Sequence, residues 1–254
     1  MAKVEVDWDR YAEQYDRITI SGSNPAYLEL VDKVTMFFKE LGLKKGSLVV
    51  DLGGGTGNFT LPIAEMHPES HFIIVDLSEI MLQKAKQKAE MKNLRNVDVI
   101  QGDIENIEYL VDTYSRPFTH AMMIHCLYVT GSLERPEKPQ RILKNIHGGL
   151  ENSESRFFIV DINRPWKAGG WIPYCLWHAY KTFGSIKETI KFFIENDQAK
   201  IASRYTDIKQ KEGSYLMCSL DEFVEMIKDA GFKRIYEKSD QYYRKRDNLV
   251  IAGK

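Results

Sequence analysis

The sequence is short of cysteine, of excess charge and of long apolar runs, and each shortage excludes something. Three cysteines, Cys126, Cys175 and Cys218, stand far apart in 254 residues with no C-x-x-C pair. That excludes a disulfide scaffold and fits reduced thiols in a cytoplasmic protein. Lys and Arg number 35 against 36 Asp and Glu, a net charge of −1. Overall charge would not hold such a chain on nucleic acid, although a local basic patch is compatible with it. No apolar run approaches the ~18 residues of a membrane span, so no membrane insertion is expected. The opening MAKVEVDWDR has charges where a signal peptide has its apolar core, so no leader is expected. His67 and His71 have the spacing of a metal pair on a helix. Pro68 between them should end that helix, and no metal site is expected. Nothing in the sequence sets an oligomeric state.

What is present is ordinary globular composition, 43% hydrophobic and 28% charged, in a chain long enough to bury a large core. Strands and helices alternate from residue 47 to about 162. The runs SLVVDL, HFIIVD, VDVIQ, FTHAMMIH and RFFIVDI are apolar and rich in branched or aromatic residues. Such runs suit parallel strands buried on both faces, with helices between them. Ser78 reads as an N-cap before the Leu82, Ala85, Ala89 stripe, and Ile142, Leu143, Ile146 and Leu150 mark another helix. The last helix opens on a capping box, Ser219-x-x-Glu222, and stops at Gly231. After it, FKRIYEKSDQYY and NLVIAG read as two antiparallel strands joined by four or five polar residues, RKRDN, with Arg244-Lys245-Arg246 in a solvated turn.

Two segments fall outside the alternation. Residues 1–46 carry two helical patterns. Trp8, Tyr11, Tyr15 and Ile18 line one face of the first, and the second runs from Asn24-Pro25 to Gly42. Residues 163–218 hold Trp166, Trp171 and Trp177, then a stripe of Ile186, Ile190, Phe193, Ile201, Tyr205 and Ile208 that predicts about six helical turns. The expected organisation is a helical cap (1–46), a core (47–162), a helical lid (163–218) and a completion of the core (219–254).

The segment Val49-Val50-Asp51-Leu52-Gly53-Gly54-Gly55-Thr56-Gly57 joins a strand to a helix. Glycines there let backbone approach a ligand closely. A G-x-G-x-x-G dinucleotide fingerprint fails, because position 58 is Asn and position 56 is Thr. There is no GK[ST], so no phosphate-cradling loop of that type. The spacing present is D-x-G-x-G-x-G. Asp76 ends the second strand, where a carboxylate can accept from both ribose hydroxyls of a nucleoside. Asp103 follows the third strand, in reach of an adenine amine. Strand-end aspartates also cap helices, but three of them beside a glycine loop are hard to explain by capping alone.

On these residues the chain resembles the class I S-adenosylmethionine-dependent methyltransferases. The resemblance covers residues 47–162 strongly and 219–254 by topology. It implies an α/β fold, a doubly wound, seven-stranded, mostly parallel sheet of Rossmann-like type with its last strand antiparallel. It implies S-adenosylmethionine as cofactor and S-adenosylhomocysteine as product. The loop, Asp51, Gly53, Gly55 and Gly57, would pass beneath the methionine part, Asp76 would bind ribose, and Met81 of Asp76-x-Ser78-x-x-Met81 would pack by the adenine. Gly102-Asp103 matches the pair after the third strand, and Leu77, Ile104 and Tyr15 complete the implied cofactor contacts. The stretch from Trp8 to Asp16 resembles the capping helix of small-molecule members, which brings Tyr11 toward the acceptor.

Methyl transfer needs an aligned acceptor and, for a protic one, a base. Ligands in open α/β sheets sit beyond the carboxyl ends of the strands. His125 and Tyr128, after the fourth strand, are therefore candidates, and Asp161 at the end of the fifth is another. His125 is open to three readings: base, ligand contact or core histidine. The sequence Ile124-His125-Cys126-Leu127 lacks the [DNS]-PP-[YFW] tetrad of amino-methyltransferases. The expected acceptor is a small organic molecule. A tRNA or protein methyltransferase, or an inactive cofactor-binding regulator, is the alternative. Trp171, Tyr174 and His178 share one helical face of the lid and are its candidate acceptor contacts. Trp171→Ala and Tyr174→Ala should then raise the acceptor KM while S-adenosylmethionine affinity changes little. Melting curves run in parallel separate this from loss of a core aromatic, which costs ~3–5 kcal/mol.

Overall fold

The computed structural model describes residues 7–20, 24–164 and 168–254. Trp166 lies outside them, as do the side chains of Trp8, Trp171 and Arg244. The strands are β1 (Leu48–Leu52), β2 (His71–Asp76), β3 (Val97–Gln101), β4 (His120–Ile124), β5 (Arg156–Ile162), β6 (Arg234–Gln241) and β7 (Asp247–Gly253). They form one seven-stranded sheet in the order β3-β2-β1-β4-β5-β7-β6. The pairs among β1 to β5 are parallel, and β7 runs antiparallel to both of its neighbours. This is the doubly wound, mostly parallel sheet that the sequence predicts.

Helices fill the connections. In chain order they are α1 (Trp8–Ile20), α2 (Pro25–Leu41), α3 (Thr60–Met66), α4 (Glu79–Met91), α5 (Glu108–Tyr114), α6 (Glu137–Gly149), α7 (Ala168–Phe183), α8 (Ile186–Glu195), α9 (Asp197–Lys211), α10 (Leu220–Asp229) and α11 (Tyr242–Lys245). The chain divides into two compact units, Lys33–Arg164 with Tyr215–Lys254, and Met1–Asp32 with Pro165–Ser214.

The larger unit contains the sheet. Strand alternation sends Leu48, Val50 and Leu52 of β1 and Phe157 and Ile159 of β5 to one face, where they meet Leu110, Ile142, Ile146, Phe223 and Ile227. On the other face Ile74 packs with Leu61, Leu82 and Ala85, and Phe37 packs at a tilt against Phe158 with ring centroids 4.9 Å apart. Each fully buried side chain of this size contributes ~1.5–3 kcal/mol. The α4 stripe and its Ser78 cap form as read, the hydroxyl accepting from the Met81 N–H. Helix α3 ends at Met66, ahead of Pro68, and His71 opens β2 with its Nε2 on Asp98 at 2.8 Å. His67 and His71 therefore share no helix face.

In the smaller unit the single long stripe gives way to two helices. The break falls at Asn196, a buried residue whose side chain donates to the Phe192 carbonyl. The stripe residues Ile186 and Ile190 are 68% and 53% exposed, while Thr189, Phe192, Gln198 and Ala202 are buried. α9 receives no side-chain cap of its own at Asn196. Gln14 of α1 supplies the acceptor instead, taking the Gln198 N–H at 3.1 Å and donating to the Glu195 carbonyl at 3.1 Å. Between β6 and β7 the expected bare turn contains α11.

The capping box on α10 is complete, with the Ser219 hydroxyl accepting from the Glu222 N–H and the Glu222 carboxylate accepting from the Ser219 N–H. Ser219→Ala should cost ~0.5–2 kcal/mol. Calorimetry should register a fall of ~2–4 °C in Tm for each kcal/mol.

Candidate active site

β1 ends beneath a loop that doubles back. The N–H groups of Gly53 and Gly54 both donate to the Val75 carbonyl of β2, at 2.8 and 3.1 Å. Gly53 has φ +74°, and a Cβ there would lie 2.3 Å from the Cys126 sulfur. No other residue fits that crossing. Gly55 has φ +54°, and among the described residues the one atom within 4 Å of where its side chain would start is an Asp76 oxygen at 4.0 Å. A ligand can therefore lie directly against its backbone.

Carboxylates stand at three strand ends around this loop. Asp51 is buried and accepts from the Thr60 hydroxyl. Burial, reinforced by the charge of Asp76 and opposed by the Thr60 bond, pushes its pKa up to about 7. Asp76 accepts the Gly55 N–H at 3.0 Å and the Ser78 N–H at 2.8 Å. Burial raises its pKa, and these N–H groups act against the rise. Asp103 accepts from the Glu105 N–H at 2.9 Å and caps the short turn Ile104–Asn106. Ile104 is buried, Leu77 is exposed and Met81 is half-buried at the start of α4. The fold thus brings Asp51, Gly53, Gly55, Gly57, Asp76, Leu77, Met81, Asp103 and Ile104 into the adjoining ends of β1, β2 and β3.

The neighbouring strand ends hold a second group. His125 leaves β4 in the left-handed region, φ +53°, and its N–H donates to the Val160 carbonyl of β5 at 2.8 Å. Its Nε2 lies 2.6 Å from Oδ2 of Asp247, at the head of β7. Burial lowers the imidazole pKa, but Asp247 and then Asp161 reverse this, so the net shift is upward. Asp161 is buried with a pKa raised to about 7, chiefly by burial. Its oxygens accept the N–H groups of Tyr128 and Ile162, both at 2.9 Å. Asp161 thus anchors the turn after β4, and the Tyr128 ring packs edge-on against Tyr215 at 5.1 Å. Cys126 lies between the two groups. Burial first, then the charges of Asp161, Asp76, Asp51 and Asp103, push its thiol well up.

Asp247 is the functional candidate that sequence reasoning missed. It sits in the polar run read as a turn, yet it is fully buried. The available signal was its position, an acid opening a reversed strand and so placed on the carboxyl edge of the parallel ones. The remaining candidates belong to the smaller unit. Tyr11 packs edge-on to Tyr15 at 5.9 Å, and burial pushes its hydroxyl up to about 12. Tyr15 packs in turn on Tyr27 at 6.4 Å. Tyr174 and His178 share a face of α7 with ring centroids 4.4 Å apart. The side chain of their expected partner Trp171 is outside the described set. Among the described residues no cluster of His, Cys, Asp or Glu is placed to hold a metal ion, and no helix is long and apolar enough to cross a membrane.

Comparison with known proteins follows the same lines. A family profile described as "Methyltransferase domain" matches residues 43–245. A demethylmenaquinone methyltransferase of Geobacillus sp. (strain WCH70) is 25% identical over 240 residues, covering 91% of this chain and 89% of that one. A chloroplastic 2-methyl-6-phytyl-1,4-hydroquinone methyltransferase of Oryza sativa subsp. japonica is 36% identical over 107 residues, 42% of this chain. The chain spans only 28% of that relative and 25% of its paralogue. The solved structure of magnesium protoporphyrin IX methyltransferase from Synechocystis PCC 6803, with bound S-adenosylmethionine, superposes with a TM-score of 0.61. That match covers 95% of this chain and 90% of the other at 14% identity, a likeness of fold.

The raised pKa of Asp51 carries a sign that can be checked. A folded chain that holds this proton up to about 7 is penalised as pH rises from the unfolded value of ~4. Above pH 7 the penalty is complete. Asp51→Asn, melted without ligand, should therefore exceed the wild-type Tm at pH 8 and lose that advantage near pH ~4.

Proposed function

We propose, from the premise that this chain belongs to the methyltransferase-domain family, that it moves a methyl group from S-adenosylmethionine to a small organic acceptor. S-adenosylhomocysteine is the other product. The cofactor supplies an electrophilic methyl on a positively charged sulfur. The observation that carries the reading is the glycine loop folded back over β2, with carboxyl groups of Asp51, Asp76 and Asp103 at the three adjoining strand ends. Such acceptors suit the hydroxyl and amine groups of a nucleoside, and carboxylates among them favour a cation. The loop backbone at Gly55 is open to a ligand, and Asp76 beside it can accept from ribose hydroxyls. The site lies between β1 and β4, where the strand order reverses and where ligands of such sheets bind.

Relatives named for quinol-type substrates support an aromatic hydroxyl compound as acceptor. The near-neutral charge of the chain supports a small molecule over nucleic acid. Three widely spaced cysteines with no C-x-x-C pair support a reducing compartment, the cytoplasm.

The test is mass spectrometry of a metabolite extract incubated with the protein and S-adenosylmethionine. The expected result is a product heavier by one CH2 together with stoichiometric S-adenosylhomocysteine. Turnover only with RNA or protein would replace the acceptor class, and tight binding without turnover would leave a cofactor-binding regulator. Asp76 should contribute charged hydrogen bonds of ~1.5–3 kcal/mol each. Asp76→Ala should thus weaken S-adenosylmethionine binding at least ~10-fold by calorimetry. Unchanged affinity would remove Asp76 from the site.

A further inference from the structure

The geometry points to Asp247 as a positioning residue, and to the His125–Asp247 pair as the group that takes a proton from the acceptor as it is methylated. This rests on the proposed methyl transfer and adds to it a requirement, an acceptor that gives up a proton.

The pair is built across the sheet. Asp247 is 0% exposed, and its Oδ2 meets Nε2 of His125 at 2.6 Å. Its second oxygen, Oδ1, is buried with no hydrogen-bond partner among the described residues. A buried carboxyl group so placed depends on its one polar contact, the imidazole of His125. The histidine is fixed by more than this contact. Its N–H is tied to the Val160 carbonyl, and the Tyr243 ring stands edge-on at 5.0 Å. Its backbone occupies the left-handed region, a conformation that is costly in a residue other than glycine. Cost of this kind is retained where the surroundings over-determine the geometry.

The pairing also settles which nitrogen is left to act. With Nε2–H committed to Asp247, the neutral ring carries its lone pair on Nδ1. The imidazole side chain is 21% exposed, so the ring is not sealed from a ligand. His125 directly precedes Cys126, whose sulfur touches the glycine loop at Gly53, so the pair belongs to the same strand edge as the cofactor loop. The titratable groups around the imidazole are Asp161 of β5, Asp247 of β7 and Tyr243 of α11. Both carboxylates favour the protonated ring, and burial disfavours it. The neutral, accepting form therefore grows only above the ordinary histidine range.

In the step, the acceptor's hydroxyl oxygen forms the bond to the methyl. The carbon–sulfur bond breaks, and its electron pair stays on sulfur. The acceptor's hydroxyl proton passes to Nδ1 of His125, and the imidazolium is held by Asp247 until water removes the proton.

The test uses the full chain, Asp247→Asn and His125→Gly, with 2-methylhydroquinone as acceptor. NMR titration should place the His125 midpoint above the ordinary ~6.5 in the wild type. In Asp247→Asn it should fall below that value, because burial outweighs the remaining Asp161. Turnover should drop ~10²-fold in Asp247→Asn, with the acid limb of its pH profile moved to lower pH. The KM and the affinity for S-adenosylhomocysteine should change little. His125→Gly suits the left-handed backbone and should regain turnover with added imidazole. This arm carries the test alone if Asp247→Asn does not fold. An unmoved pH profile in Asp247→Asn, or a loss confined to Tm, overturns the positioning role. Failure of imidazole to restore turnover overturns the proton transfer. So does a wild type that binds S-adenosylhomocysteine yet leaves 2-methylhydroquinone unmethylated. Absence of S-adenosylhomocysteine binding would instead fail the proposed function, with the titration still reading the pair.

Discussion

One carbonyl organises the strand edge. The oxygen of Val75 receives the N–H groups of both Gly53 and Gly54, which folds the loop after β1 back over β2 instead of letting it run on. That reversal aims the next N–H, of Gly55, at Asp76. It also brings Gly53 against Cys126, so the end of β4 is fitted to the loop by contact. Three strand ends are thereby fixed by a geometry only glycine can take. A side chain at 53 would move Cys126 and with it the histidine one residue earlier. The loop's composition is thus a constraint on the whole edge and not only on a ligand.

That edge is costly to fold. Asp51 and Asp161 are buried with raised pKa values, and Asp247 is buried with one oxygen lacking a hydrogen-bond partner among the described residues. A sequence selected for stability alone would replace such carboxylates with amides or aliphatic residues. Their presence together, at the carboxyl ends of adjacent strands, is better explained by what they attract. A cationic ligand against the loop and a protonated imidazole at Asp247 each offset part of the penalty. Stability and function pull in opposite directions here, and the structure favours function.

Much of this was legible in the sequence, and the failures have physical causes. β2 and β5 fall on the residues read for them, 71–76 and 156–162, because buried parallel strands are apolar on both faces and stand out from polar surroundings. The α10 capping box is local chemistry, so four residues suffice to read it. The α8–α9 stripe failed because periodicity cannot register one non-helical residue. Asn196 leaves the helical conformation, so α8 ends before it and α9 begins after it. Asp103 shows a further limit. The same side chain serves as the cap of the turn after β3 and stands where a ligand contact is expected, and no spacing rule separates the two. Asp247 was hidden by composition, since a run of Arg, Lys, Asp and Asn reads as solvent-facing whether or not its last acid turns inward.

The reversed strand explains why that acid matters. In a parallel sheet only residues at strand C-termini reach the ligand edge, and β1 to β5 contribute theirs. A seventh strand running parallel would bring its C-terminal end there, Ala252 and Gly253, which carry no chemistry. Running antiparallel, β7 presents its first residue instead, and the register sets Ile162 opposite Asp247 and Asp161 opposite Asn248. Two acids from strands of opposite direction are thereby placed one register step apart, with His125 from β4 in hydrogen-bond reach of one and in the field of the other. Reversal of the strand is thus the topological step that lets a residue distant in sequence join the histidine.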